Sequence, residues 1–140
     1  MPRVEIELPE RFAFGTELEV RVSDLNYGNH VGNDGVLTLI HEARRRYLLS
    51  LGEDEIGKDG LGFVIADAAL VYRAQAFYGD RLLIEVAAAE VQSRSCSFLY
   101  RVSKQQVTVA EARTGVVRFD FKAQKAVAMP AELLHKLGAA

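Results

Sequence analysis

One cysteine, Cys96, stands in the whole chain. A lone thiol excludes an internal disulfide and fits a reducing cytoplasm. No stretch approaches the ~18 consecutive apolar residues of a membrane span. The opening residues, Met1-Pro2-Arg3-Val4-Glu5, lack the apolar core of a secretion signal. Positive charge is not in surplus either: 17 Lys and Arg face 19 Asp and Glu, a net charge of −2. That balance argues against nucleic acid as a partner. The three histidines are scattered, and neither His41 nor His135 stands at a ligand spacing from His30, so no metal site is expected. Linkers, repeats and low-complexity runs are missing, so residues 1–140 read as one domain, long enough to bury a real core.

What is present is ordinary globular composition, 49% hydrophobic and 26% charged, with its polar chemistry concentrated in one place. Ser23 to Gly35 holds two Asp, three Asn, one His and three Gly just ahead of an amphipathic segment. Short polar side chains and glycines hold irregular backbone. Asn33 and Asp34 are good N-cap types, so the N–H groups of Asn33, Asp34 and Gly35 are expected to converge where a helix begins. A helix N-terminus beside a histidine and carboxamides suits an acyl oxyanion, and hence ester or thioester chemistry.

Val36, Leu39, Ile40, Ala43, Tyr47 and Leu51 recur at helical spacing before Gly52. Leucines on the opposite face predict a helix covered on more than one side. Leu18–Val22 reads as a first strand. Beyond Gly62 the pattern is all strand. Val64, Ala66, Ala68, Leu70 and Tyr72 read as one apolar face, with Asp67 breaking the other; Asp67 is expected to meet a partner subunit or the site. Leu82 to Ala88, Cys96 to Val102 and Val107 to Phe121 follow, and Cys96 reads as packing. Pro130 opens a short helix, Ala131 to Leu137. Strand, long helix, then four consecutive strands make an α+β chain with an antiparallel sheet. Small residues at Ala66, Ala68, Ala110, Ala112 and Thr114 let a central helix approach that sheet, as in the hotdog arrangement.

With these residues in order, the chain resembles the acyl-CoA thioesterase family typified by 4-hydroxybenzoyl-CoA thioesterase. Asp24, His30-Val31 and Asn33 match the family's Asp-x-Asp-x-x-Gly-His-Val-Asn-Asn loop. Glu42-Ala43-Arg44 and Leu51-Gly52 match its helix, and Val71-Tyr72-Arg73, Tyr78-Gly79-Asp80 and Met129-Pro130 continue the likeness. The resemblance implies one hotdog domain hydrolysing an acyl-CoA or acyl carrier protein thioester. It needs no cofactor, since coenzyme A is part of the substrate. It also implies edge-to-edge pairing into a homodimer or a dimer of dimers, with sites at the subunit interface.

Three positions depart from the pattern. Asn26 stands where the family has its catalytic Asp, Asn29 where it has the glycine before the histidine, and Gly32 at the first of the paired asparagines. A carboxamide is neither nucleophile nor base at neutral pH. His30 is then the expected base, histidine having a reference pKa near ~6.5, with Asn26 positioning water and Asp24 orienting His30 or bracing the loop. Glu42 matches a family position, but Arg45 and Arg46 lie within ion-pair reach on the same helix. The rival reading is a non-catalytic hotdog that binds an acyl thioester.

Overall fold

A computed structural model describes residues 2–139. Strand β1 (Phe14–Glu19) leads through a short 3₁₀ turn (Val22–Asp24) and a polar loop into helix α1 (Asn33–Ser50). Strands β2 (Leu61–Tyr72), β3 (Arg81–Ala89), β4 (Ser95–Lys104) and β5 (Val107–Asp120) follow, then a two-residue β6 (Lys125–Ala126) and helix α2 (Ala131–Ala139). The sheet is antiparallel in the order β1-β3-β4-β5-β2, with β6 on β5. One hydrophobic core lies between α1 and this sheet, which is the hotdog arrangement.

The first strand ends at Glu19 rather than running from Leu18 to Val22. Val20 is buried and held by the turn before β3: its N–H donates to the Asp80 carbonyl (2.9 Å), and its own carbonyl accepts from Gly79 (3.0 Å). Asp24 then accepts the Arg21 N–H at 2.8 Å and winds the chain into the 3₁₀ turn.

Helix α1 alternates two buried residues with two exposed ones along its length. Val36, Leu39, Ile40, Ala43, Tyr47 and Leu48 face the core, while Leu37 and Leu49 face out. It is therefore covered on one face, not several, because the sheet curls over one side only. Tyr47 is seated between Phe14 and Phe98, with ring centroids 5.4 and 5.2 Å away. Lys136 of α2 donates to the Leu51 carbonyl at 3.0 Å, satisfying the C-terminal end of α1.

Strand β2 departs most from simple alternation. Its register on β5 jumps between Ile65 and Asp67, a β-bulge that reverses which residues face inward. Residues directly opposite each other share a face, so Phe63 beside the buried Arg118 and Ile65 beside Val116 point inward. After the bulge Ala68, Leu70 and Tyr72 do so, beside Thr114, Ala112 and Ala110. The expected faces, Val64-Ala66-Ala68 on one side and Phe63-Ile65-Ala69 on the other, are thus broken in the middle. Ala110, Ala112 and Thr114 are buried beneath α1 as expected, but Ala66 and Ala68 are exposed. β2 is an edge strand, and α1 does not extend over its central part.

Candidate active site

The polar loop is built by its own backbone. Asn26 N–H donates to the His30 carbonyl (2.8 Å), Asn29 N–H to the Asn26 carbonyl (3.1 Å), and Leu25 bridges Val31. The result is a tight turn over Asn26-Tyr27-Gly28-Asn29. It requires a left-handed residue, and Asn29 supplies it with φ of +62°. Asparagine tolerates that region better than other side-chain-bearing residues, which explains how it replaces a glycine here.

His30 is half-buried and bridges Phe77, while Val31 N–H donates to Ala76 (2.8 Å). The imidazole Nδ1 lies 3.1 Å from the Val31 carbonyl. A carbonyl only accepts, so this contact places the proton on Nδ1 and leaves the Nε2 lone pair free. Asn26 Oδ1 accepts the Gly28 N–H at 2.9 Å, which leaves the amide hydrogens of Asn26 as its available groups. Asn26 Oδ1 and His30 Nε2 each lie 3.3 Å from where a Cβ on Gly28 would sit, so glycine keeps the space between carboxamide and imidazole open.

Helix α1 begins at Asn33, and its N-cap is Gly32, which forms no side-chain cap bond. Asn33 and Asp34 are therefore first-turn residues rather than caps. Asn33 Oδ1 accepts the Asp34 N–H at 3.0 Å. A Cβ on Gly32 would stand 2.6 Å from the Asp34 carboxylate, so a side chain there would make the exposed Asp34 swing aside. Gly35 is buried against the Asp24 carbonyl, 2.6 Å from where its Cβ would be. The N–H groups of Asn33 and Gly35 have no acceptor among the described residues. They are the unsatisfied donors of a helix start, at the positive end of its dipole.

His30 and Asn33 border a cavity of about 330 Å³ that Val36, Tyr72, Arg73 and Val109, among others, also line, while Asn26 and the buried Gly35 stand behind its wall. The Tyr72 hydroxyl donates to the Asn33 carbonyl (3.1 Å) and ties the end of β2 to the first turn of α1. Burial, with the nearby Asp34, raises the Tyr72 hydroxyl above its ordinary pKa, so it stays a neutral donor. Composition did not single out Tyr72, Val36 or Val109. Their signal lies in strand pairing, where Tyr72 sits opposite Ala110.

Two expected site residues are elsewhere engaged. Asp24 is buried, its carboxylate accepting the Arg21 N–H and pairing with the Arg21 guanidinium at 3.5 Å. It braces the loop, and no contact joins it to His30 among the described residues. Glu42 is exposed, paired with Arg46 at 2.8 Å, and lines a different hollow between α1 and β1. Asp67 accepts the Gly115 N–H (2.9 Å) and lies 3.5 Å from Arg113, on the outer side of the bulge. Cys96 is buried and its thiol is pushed up to about 12 by desolvation. Among the described residues no group of three or more His, Cys, Asp or Glu gathers to hold a metal, and no helix is long and apolar enough to cross a membrane.

Residues 20–137 match the profile of the Thioesterase-like superfamily. The chain is 29% identical over 125 residues to the long-chain acyl-CoA thioesterase FadM of Escherichia coli, covering 87% of this chain and 95% of that protein. It is 26% identical over 123 residues to the acyl-CoA thioesterase YbgC of Haemophilus influenzae, covering 86% and 90%. In fold it is similar to a 1,4-dihydroxy-2-naphthoyl-CoA thioesterase from Synechocystis, with a TM-score of 0.78 at 22% identity over 89% of this chain and 97% of that one.

Proposed function

This chain belongs to the Thioesterase-like superfamily, and from that premise we propose that it hydrolyses an acyl-CoA thioester to a free acid and a thiol, with His30 as the base. The observation that carries this reading is the free Nε2 of His30, which with Asn26 Oδ1 flanks Gly28, the imidazole lining one cavity with Asn33 at the helix start.

The chemistry follows from these groups. A water held by the amide hydrogens of Asn26 gives a proton to His30 Nε2 as its oxygen bonds to the thioester carbon. The carbonyl electron pair moves onto oxygen, where the N–H groups of Asn33 and Gly35 receive the charge. The pair then returns, the C–S bond breaks, and the thiolate departs. A thiol pKa near ~8.5 makes that group a good leaving group without a dedicated acid. His30 returns its proton to the thiolate or to solvent.

Acyl carrier protein is the alternative thiol carrier, and the cytoplasm, where a lone thiol stays reduced, is the expected compartment. The exposed edge of β2 supports a homodimer built by strand pairing, or a dimer of dimers, with the cavity beside that edge. Light scattering tests this: twice the 15.5 kDa chain mass is the smallest species expected at micromolar concentration. Asn26 also favours a second reading, a module that binds an acyl thioester without cleaving it. Free-thiol detection across short, long and aromatic acyl-CoAs separates the two. Release from any substrate supports hydrolysis, and binding without release from all of them supports the module.

A further inference from the structure

Two arginines are buried, and they are treated differently. Arg118 is neutralised by Glu53 at 3.1 Å and lies over the Phe63 ring. Arg44, 8% exposed on the core-facing side of α1, forms no ion pair among the described residues. Its Nη1 donates to the Tyr100 hydroxyl over a long 3.4 Å, and its Nε, like that of Arg118, has no acceptor among the described residues; the missing carboxylate is what sets Arg44 apart. The Tyr100 hydroxyl in turn lies 2.8 Å from Thr114 Oγ1. Both hydroxyls are neutral, Tyr100 being held so by burial, and neither balances the charge. The Tyr47 hydroxyl, one turn further along α1, is also buried without a partner. An arginine keeps its charge inside a protein, so a buried guanidinium with one weak contact is incomplete without an anion.

Where that anion comes from is set by the strand register. Thr114 pairs with Ala68, which is exposed on the inward face of β2. From Ala68 the inward face continues through Leu70 to Tyr72, which lines the His30 cavity. Four strand residues span about 13 Å. An apolar, partly uncovered track thus runs from the candidate catalytic base to the neighbourhood of the unpaired guanidinium.

We propose that Arg44, with Tyr100 and Thr114, receives a carboxylate at the far end of the acyl group, so that the preferred substrates are thioesters of long-chain dicarboxylic acids. The assignment rests on the thioesterase reading: the thioester lies at His30, the chain along Leu70 and Ala68, and the distal carboxylate on the guanidinium. A planar, permanently charged fork suits a carboxylate, which a lysine would meet only as a point charge. Burial makes the contact selective, because an uncharged methyl terminus leaves the guanidinium unpaired.

The test compares dodecanedioyl-CoA with lauroyl-CoA, equal in length and differing at the far end. It also compares calorimetric binding of the dicarboxylic acid's monoamide, which keeps one carboxylate, with that of lauramide, which has none. The wild-type chain is expected to favour the carboxylate-bearing member about tenfold or more in both kcat/KM and affinity. In Arg44→Met, with folding checked by circular dichroism, the ratio should collapse toward one. Arg44→Lys, which keeps the charge, should retain part of it and remains informative if the methionine variant fails to fold. Cleavage of neither ester with the carboxylate preference intact in binding supports the receptor and overturns only the hydrolytic reading. Equal treatment of the two termini by the wild-type chain, or a preference that survives in folded Arg44→Met, overturns the proposal.

Discussion

Helix α1 has a hollow on either side, and the two differ in a way that size does not capture. The larger, about 610 Å³ between α1 and β1, holds Glu17, His41, Glu42, Arg45 and Arg46. Most of its charges are consumed by one another or by neighbours, Glu42 by Arg46, Arg45 by Asp54 and His41 by Glu55, with Glu19 the exception among the described residues. The smaller, about 330 Å³ between α1 and the end of β2, leaves the His30 Nε2 and the Asn33 N–H without partners among the described residues. Groups already bonded to one another are a surface. Groups fixed in place yet unsatisfied suit the proposed site, because a substrate completes them at little reorganisation cost. Glu42, a candidate from its match to a family position, is exposed and paired with Arg46 in the other hollow, so on the proposed reading it takes no part in the chemistry.

The contrast is broken most sharply at His30. His30→Ala should lower turnover by about 10²–10⁴-fold, while thermal unfolding stays cooperative. An unchanged rate in the folded variant would return the base to another residue. Asn26→Ala should cost less than His30→Ala, since it removes a donor and not the base. Asn26→Asp should hold or raise the rate if the loop keeps its shape, and steady-state kinetics on all three variants rank them.

Gly35→Ala attacks the helix start itself. The new Cβ meets the backbone carbonyl of Asp24 at 2.6 Å, an obstacle that does not rotate away. A loss of about 1–3 kcal/mol is expected, read by denaturant midpoint, together with a fall in activity as the loop shifts. A change on the exposed α1–β1 side should leave a far smaller mark: Thr38→Val, which swaps a hydroxyl for a methyl and gives up a 3.2 Å bond to the Asp34 carbonyl, should stay within about 0.5 kcal/mol.

Glu42→Gln sharpens the comparison from the other hollow. Its exposed pair with Arg46 is worth about 0.3–0.5 kcal/mol, and turnover should change by less than about twofold. A loss approaching that of His30→Ala would move the site to the larger hollow.

The smallest effect concerns Asp80, which accepts the Phe77 N–H at 2.8 Å and so steadies the segment that bridges His30. Lys104 and that N–H hold its carboxyl below the usual value of 3.8. A depressed folded pKa adds stability above the unfolded value and loses it as pH falls through the lowered one. Asp80→Asn should therefore weaken the fold slightly near neutrality and flatten the acid limb of its stability curve below about pH 4. Urea midpoints at neutral and acid pH measure both.

Much of this was legible in the chain because it depends on neighbours in sequence. The alternation of Leu82, Ile84 and Val86 and of Cys96, Phe98 and Tyr100 marks strands whose inward residues are buried. The helical spacing from Val36 to Tyr47 marks α1, and the Asn-Gly-His loop marks its start. Errors arose where a distant segment decides. Val22 reads as strand, but Arg21 and Asp24 close a turn beneath it. Ala66 and Ala68 read as a helix-facing pair, but α1 stops short of them.

By itself, then, the sequence determined the α+β order, the hotdog class, the loop that carries His30, and membership of a thioesterase superfamily. The order and the loop follow from local periodicity and turn chemistry, which act over a few residues, and the class and membership from the resemblance of the motif order to a known family. Only the tertiary structure decided that the bulge at Ile65/Asp67 reverses β2, that Glu42 and His30 belong to different hollows, and that Arg44 is buried without a counter-ion. Each of those depends on pairing between residues tens of positions apart, where register and burial, rather than residue type, set the outcome.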